Sequence, residues 1–401
     1  MAERTVERGV SSGWTAALVL TTVATFVGWY GPLQILLAKQ ADLVDPAGKE
    51  TLLATVAAVG AVCSMVANPV WGALSDRTTG RWGRRVPWVV GGSVAGAAGL
   101  VVLSWATSAL GMVVGWCLVQ VALNAPLAAL SAAIPDRVPE ARRGVVGGWF
   151  GLAQTVGVMA GTGLAVAGGT IAGGYLVCAA VVVLGAIPFA LVRPEPAVER
   201  PRGPLLRGFV INPRRYPDFG WAWLTRFLMN LGNAIALLYL LYFLDDAVGV
   251  ADPEGGVLVL TVLYALALLA TVVVAGSWSD RAGSRRAFVA GSGVVMAAAA
   301  VLLAVWPTWP GAVTAALVLG VGFGAYTAVD FALVTQVLPA AADRGKDLGL
   351  VNIANTLPQV LAPVIAAPVV RSYGGYPALY AVAAGVGLLG AVLVFRIRSV
   401  R

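Results

Sequence analysis

The stretch GALSDRTTGRWGRRVPWVVGG (Gly72–Gly92) sets four arginines and one aspartate inside ten residues, between two of the most apolar runs in the chain. So dense a cluster, flanked on both sides by apolar sequence, reads as a tight turn between two membrane-crossing helices. The composition agrees. The 401 residues are 59% hydrophobic and 11% charged, with a mean hydropathy of +0.84. Soluble chains of this size carry about 25% charged residues, because a globule needs a solvated surface. That deficit excludes a large soluble enzyme and leaves an all-α polytopic membrane protein.

Runs of about 20 apolar residues are long enough to cross the hydrocarbon core as helices. They fall at roughly 14–37, 51–74, 87–107, 110–134, 146–168 and 171–192, then at 218–243, 256–278, 287–306, 311–338, 348–369 and 375–395, twelve in all. A membrane β-barrel needs short alternating segments, which these long runs are not. Gly- and Ala-rich tracts such as GGSVAGAAG (91–99) and GTGLAVAGG (161–169) allow close helix packing and blur the border between the fifth and sixth spans. The first residues, MAERTVERGVSSG, carry no cleavable-signal pattern, so the first span is expected to be retained.

Charge sets the orientation. Apart from Lys39, Lys49, Arg226 and Arg371, every basic residue falls in an even-numbered connection or at a terminus. The connection after span seven holds Asp245, Asp246, Asp252 and Glu254 and no base. The positive-inside rule therefore predicts a multi-pass protein of the cytoplasmic (inner) membrane with both termini in the cytoplasm.

The opening motif recurs. GALSDRTTGRWGRR begins at Gly72 and GSWSDRAGSRR at Gly276, each after the second span of its half. The polar segment VRPEPAVERPRGPLLRGFVINPRRYPD (192–218) lies between them. This predicts a six-helix bundle at 1–192, a cytoplasmic linker at 193–217 and a second six-helix bundle at 218–401, related as parallel repeats. Gly72, Asp76, Arg77, Arg81, Gly83, Arg84 and Arg85, with Asp280, Arg281 and Arg285 of the second copy, are read as a gating loop. Arginines anchor the turn at the inner leaflet while Asp76 caps or pairs. Charges that set only topology would need no repeated spacing.

A glycine, S-D-R and a closing arginine pair between spans two and three resemble the signature loop of the major facilitator superfamily. The longer SDRTTGRWGRRVPW (75–88) is similar to the loop of the glycoside–pentoside–hexuronide cation symporters and the related sucrose transporters. GKDLGLVNIANTLPQVLAP (345–363) resembles the sucrose-transporter segment entering span eleven. The resemblance implies a 6+6 pseudo-symmetric fold and secondary active transport by alternating access, often coupled to protons or sodium, with sugars or glycosides as common solutes. The melibiose-type symporters place cation-binding acids in the membrane portion of the first half. Spans one to six here hold no Asp or Glu, so coupling falls to the second half or is missing.

Two charged residues lie well inside spans, Arg226 and Asp330. A charge at membrane depth costs several kcal/mol and asks for a partner or a water-filled cavity. At 1.5 Å per residue both sit about 12 Å from the inner surface, a depth that suits an ion pair. Structural and transport roles both stay open for it. Asn230 and Asn233 share a helix face with Arg226, and span eleven repeats the stripe with Asn352, Asn355 and Gln359. Gln120 and Asn124, Tyr30 and Gln34, Gln154, and Tyr326 one turn before Asp330 complete the polar candidates. Amides and aromatic faces suit a hydroxylated solute. Pro358, beside Gln359, predicts a broken or kinked helix.

The chain has no histidine, and Cys63, Cys117 and Cys178 lie far apart inside apolar runs. Neither a metal site, a disulfide framework nor a two-acid catalytic mechanism is visible, and no cofactor is expected. Topology accounts for the basic residues, so nucleic acid is not an expected partner. The expectation is a non-enzymatic monomer in the lipid bilayer that moves a small polar solute, a sugar or glycoside, with a coupled proton. The alternative is a proton-driven exporter of a drug or other metabolite.

Overall fold

The computed structural model describes residues 10–191, 216–282, 284–337 and 344–399, and all regular structure among them is helical. The helices are α1 (Ser12–Val44), α2 (Lys49–Arg77), α3 (Val86–Ser104), α4 (Ala109–Arg137), α5 (Glu140–Ala167) and α6 (Ile171–Ala190). After the expected linker, which falls almost wholly outside the described residues, come α7 (Pro217–Leu238, continued by Leu240–Val248), α8 (Pro253–Ala282) and α9 (Arg285–Val305). The last three are α10 (Trp309–Gln336), α11 (Arg344–Ser372) and α12 (Gly375–Leu393). Among the described residues eleven helices are long and apolar enough to cross a membrane, and twelve when the two pieces of α7, bent by 43°, count as one span.

Local chemistry sets several ends. Ser11, Ser108 and Thr170 cap α1, α4 and α6, their hydroxyls accepting from the amides of Trp14, Gly111 and Gly173 at 3.2, 3.2 and 2.9 Å. The capped start at Thr170 and the left-handed Gly169 (φ 69°) separate the fifth and sixth spans, which composition left blurred. Pro32 has no amide to give the helical ladder, and α1 widens into a π-helical turn over Pro32–Leu36. Of the break or kink expected at Pro358, the break is not there. α11 runs unbroken from Arg344 to Ser372 through Pro358, Pro363 and Pro368. Membrane helices tolerate proline where neighbouring groups take up the freed carbonyl. The bend lies on α7 instead, where the Tyr239 and Tyr242 hydroxyls donate to the carbonyls of Glu50 and Ala38 at 2.8 and 2.9 Å.

The chain forms two compact units. The first comprises Met1–Leu36 and Val66–Leu205; in it α1 packs on α5 and α6, and α3 on α4 and α6. The second comprises Leu37–Met65 and Leu206–Arg401; in it α7 packs on α11 and α12, and α9 on α10 and α12. Moving each helix number up by six converts the first set of pairings into the second. Leu37–Met65 is tied within the second unit by Lys39–Glu254 at 2.5 Å and by Lys49–Asp246 at 3.1 Å. Glycine brings backbones together at the α1–α5 crossing, where a Cβ on Gly31 would sit 2.7 Å from Cys178 Sγ and 2.9 Å from the Gly161 carbonyl oxygen.

Candidate functional site

In the second unit the two intramembrane charges meet. Asp330, 4% exposed on α10, accepts from Nη1 of Arg226 on α7. The guanidinium turns its Nε to Oδ1 of Asn355 on α11, at 2.8 Å. Asn230 lies one turn beyond Arg226, and its amide donates to the Arg226 carbonyl at 2.9 Å and to the same Asn355 oxygen at 3.4 Å. Tyr326, 2% exposed, stands one turn before Asp330 on α10 with no hydrogen bond of full geometry at its hydroxyl. Three helices thus place a cation, an anion, two amides and a phenol around one point. Opposite charge and the Asn355 oxygen offset the cost of taking both ions out of water. Asn355 spends its acceptor on Arg226, so it holds the guanidinium in position and presents the remaining N–H donors beside Asp330.

The other predicted residues are distributed differently. Asn233 turns to α8, where the Tyr264 hydroxyl donates to its Oδ1 at 3.4 Å. Tyr264 packs on Phe323, and Phe323 on Tyr326, so an aromatic row leads from Asn233 toward Asp330. Gln359 is exposed, and the side chain of Asn352 lies outside the described residues. Asn124 and Gln34 belong to the first unit. Asn124 is buried between α2 and α4, accepting from Asn68 Nδ2 at 3.0 Å and donating to the Gln120 carbonyl at 2.7 Å. Trp71 adds a 2.7 Å bond to the Val121 carbonyl, so Asn124 is part of a helix–helix joint. Gln34 is half-buried in the π-helical turn, and Tyr30 stacks on Phe26. Asn68 did not enter the sequence reading; its trace is an amide in the apolar run of α2, just before Pro69.

The loop after α2 has its hub at Arg85, where sequence pointed to Asp76. Arg85 is 2% exposed, and its Nη1 donates to Ser75 Oγ at 2.7 Å. Its Nη2 lies 2.7 Å from Asp76 Oδ1, while Nε and Nη2 reach Asp136 Oδ2 at 2.9 and 2.7 Å. Arg84 pairs with the other oxygen of Asp136. Gly83 (φ 76°) makes the left-handed turn that aims the pair inward. Trp88 closes the turn by donating to Thr78 Oγ1 at 2.8 Å and packing on Trp71. Arg77 and Arg81 are exposed, Arg81 lying over the Trp82 ring, and a Cβ on Gly72 would meet nothing within 4 Å. In the second copy Arg285 opens α9, while the side chains of Asp280 and Arg281 lie outside the described residues. Asp136 escaped the sequence reading because an acid at a span end looks like an ordinary loop charge.

The family profile of the Major Facilitator Superfamily matches residues 14–249 and 222–401, and the chain belongs to that superfamily. It is accordingly a multi-pass membrane protein of a transporter fold, not an enzyme. The "Uncharacterized symporter sll1374" of Synechocystis sp. (strain ATCC 27184 / PCC 6803 / Kazusa) is 45% identical over 53 residues, 13% of this chain. The chain spans 10% of that relative's length. Two crystal structures of the nucleoside transporter NupG, one of a mutant, share the fold. The mutant superposes with a TM-score of 0.75 at 13% identity, covering 96% of this chain and 99% of that one. The other gives 0.72 at 14% identity, covering 96% and 98%.

Proposed function

We propose that the protein is a secondary active transporter that moves a small hydroxylated solute, a sugar or glycoside, together with a proton. The observation that carries this reading is the buried Arg226–Asp330 pair with Asn355, Asn230 and Tyr326 around it. Asp330 is the carboxylate placed to take the proton. Once it is neutral, Arg226 loses its counter-charge while Asn355 still holds its Nε, and its freed donors turn to the solute's hydroxyl oxygens. Solute and proton then load one site, and alternating access exposes that site to each side in turn. The loop end of the helices faces the cytoplasm, with both termini there, and the working form is a monomer in the inner membrane.

A symporter among the relatives and nucleoside transporters among the structures fit a polar solute and proton or ion coupling. A nucleoside, itself a hydroxylated glycoside, belongs to the same chemical class and to the same screen. The exporter of apolar compounds has no observation in its favour, since the site is amide- and charge-lined. The deciding experiment is uptake of labelled mono- and disaccharides and nucleosides into proteoliposomes, with and without an inward proton gradient. Accumulation that requires the gradient is the expected result. Flux without any effect of the gradient overturns the coupling, and no flux of any of these solutes by folded protein overturns the solute class.

A further inference from the structure

The two copies of the loop motif close in different ways. In the first, Arg84 and Arg85 share the carboxylate of Asp136 at the end of α4. Counting back from the proline that follows each helix, Pro139 and Pro339, the position matching Asp136 is Gln336. Ser279, the counterpart of Ser75, is 2% exposed, and its hydroxyl has no hydrogen-bond partner among the described residues. Arg286, the counterpart of Arg85, donates from Nη1 to the carbonyl of Ile397 at 2.6 Å.

Ile397 belongs to a short segment at the end of the chain. Val394 and Ile397 are both fully buried and form its anchor, and the Arg396 guanidinium lies over the Trp221 ring of α7, 5.7 Å from its centroid. Beyond the anchor, the amides of Arg398 and Ser399 donate to the two carboxylate oxygens of Asp218 at 3.1 and 2.8 Å. Asp218 lies in the first turn of α7 and Arg286 in the first turn of α9. One strap therefore grips the starts of two helices, and α7 carries Arg226 about two turns further on.

We propose that this strap, residues 394–399, locks the starts of α7 and α9 to each other. A backbone carbonyl receives Arg286, the counterpart of Arg85, and Asp218 fastens the far side of the strap. Release of the strap loosens both helix starts together and frees the helix that bears Arg226. Only this last consequence, for transport, rests on the function proposed above; the coupling of the two helix starts stands on the contacts themselves.

The test is hydrogen–deuterium exchange on the whole chain in nanodiscs, comparing wild type with Asp218→Asn and with Ser399→Pro, which removes the amide that donates to Asp218. Each change weakens the charge-assisted bonds to α7 and leaves the Arg286–Ile397 contact in place, yet exchange is expected to rise about tenfold at the starts of both α7 and α9. Combining the two changes is expected to add nothing further. An unchanged α9 start in Asp218→Asn, or effects that add, overturns the lock. Arg286→Gln runs the test in reverse and stands in if a variant fails to fold. Faster exchange at the start of α7 supports the lock, and an unchanged α7 overturns it. Absence of flux for every solute screened would sink the transport reading and leave this result standing.

Discussion

Arg226 and Asp330 are 104 residues apart in sequence, and each is a lone charge within an apolar span. Each is costly alone at that depth. Removing one partner of a buried pair costs about 3–5 kcal/mol, whereas replacing both with apolar groups is often neutral. Arg226→Leu is therefore expected to lower the unfolding midpoint in detergent far more than the double variant with Asp330→Leu. Equal losses in the two would show that an unpaired Asp330 carries no penalty of its own. Asp330→Asn is expected to abolish proton-driven accumulation while solute exchange continues; unchanged accumulation would remove Asp330 from the coupling. Asn355→Leu leaves the Arg226 Nε without its acceptor and should weaken solute binding without ending proton dependence, read as a raised KM in proteoliposome uptake. The charges were legible in sequence because hydropathy makes any ion in a span conspicuous. The division of labour among the amides was not. Asn233, on the same stripe as Asn230, serves Tyr264 instead.

At the scale of elements, hydropathy located the helices well, because burying about 20 apolar residues is a local requirement. Their irregularities were harder to read. Pro358 suggested a break that α11 does not have, while the bend of α7 falls between Leu238 and Leu240, with no proline to announce it. The loop after α2 was recognised by its spacing, yet its hub and its partner on α4 were not. Asp136→Ala strips Arg84 and the buried Arg85 of their shared carboxylate. It is expected to lower thermal stability by about 3 kcal/mol or more and to slow transport, with Asp136→Glu recovering part of both. A stability equal to wild type in Asp136→Ala would reduce the network to a topology signal. The α1–α5 crossing offers a steric test. Gly31→Ala, whose Cβ meets Cys178 and the Gly161 carbonyl, is expected to cost about 1–3 kcal/mol in the same melts.

At the scale of the whole molecule, the matching helix pairings of the two units are what the repeated motif at Gly72 and Gly276 led one to expect of parallel repeats. The proposed orientation has its own check. With Cys63, Cys117 and Cys178 replaced by alanine, a cysteine at Trp82 should react with an impermeant maleimide only in inside-out vesicles, and one at Asp245 only in whole cells. The reverse pattern would invert the topology. Trp82 and Asp245 are both exposed, so access follows from the side of the membrane they face.

The sequence by itself determined that this chain is a bundle of apolar helices in two related halves, with one charge of each sign sunk in the second. Hydropathy, repeat spacing and the cost of a buried ion act along the chain or on single residues, and they can be read there. Tertiary structure alone decided the partners. Arg85 finds Asp136 across 51 residues, Arg226 finds Asn355 across 129, and Arg286 finds the chain's end across 111. Such pairings depend on how helix faces meet in space, and in a membrane span an amide facing lipid, solute or a neighbouring helix is written with the same letter.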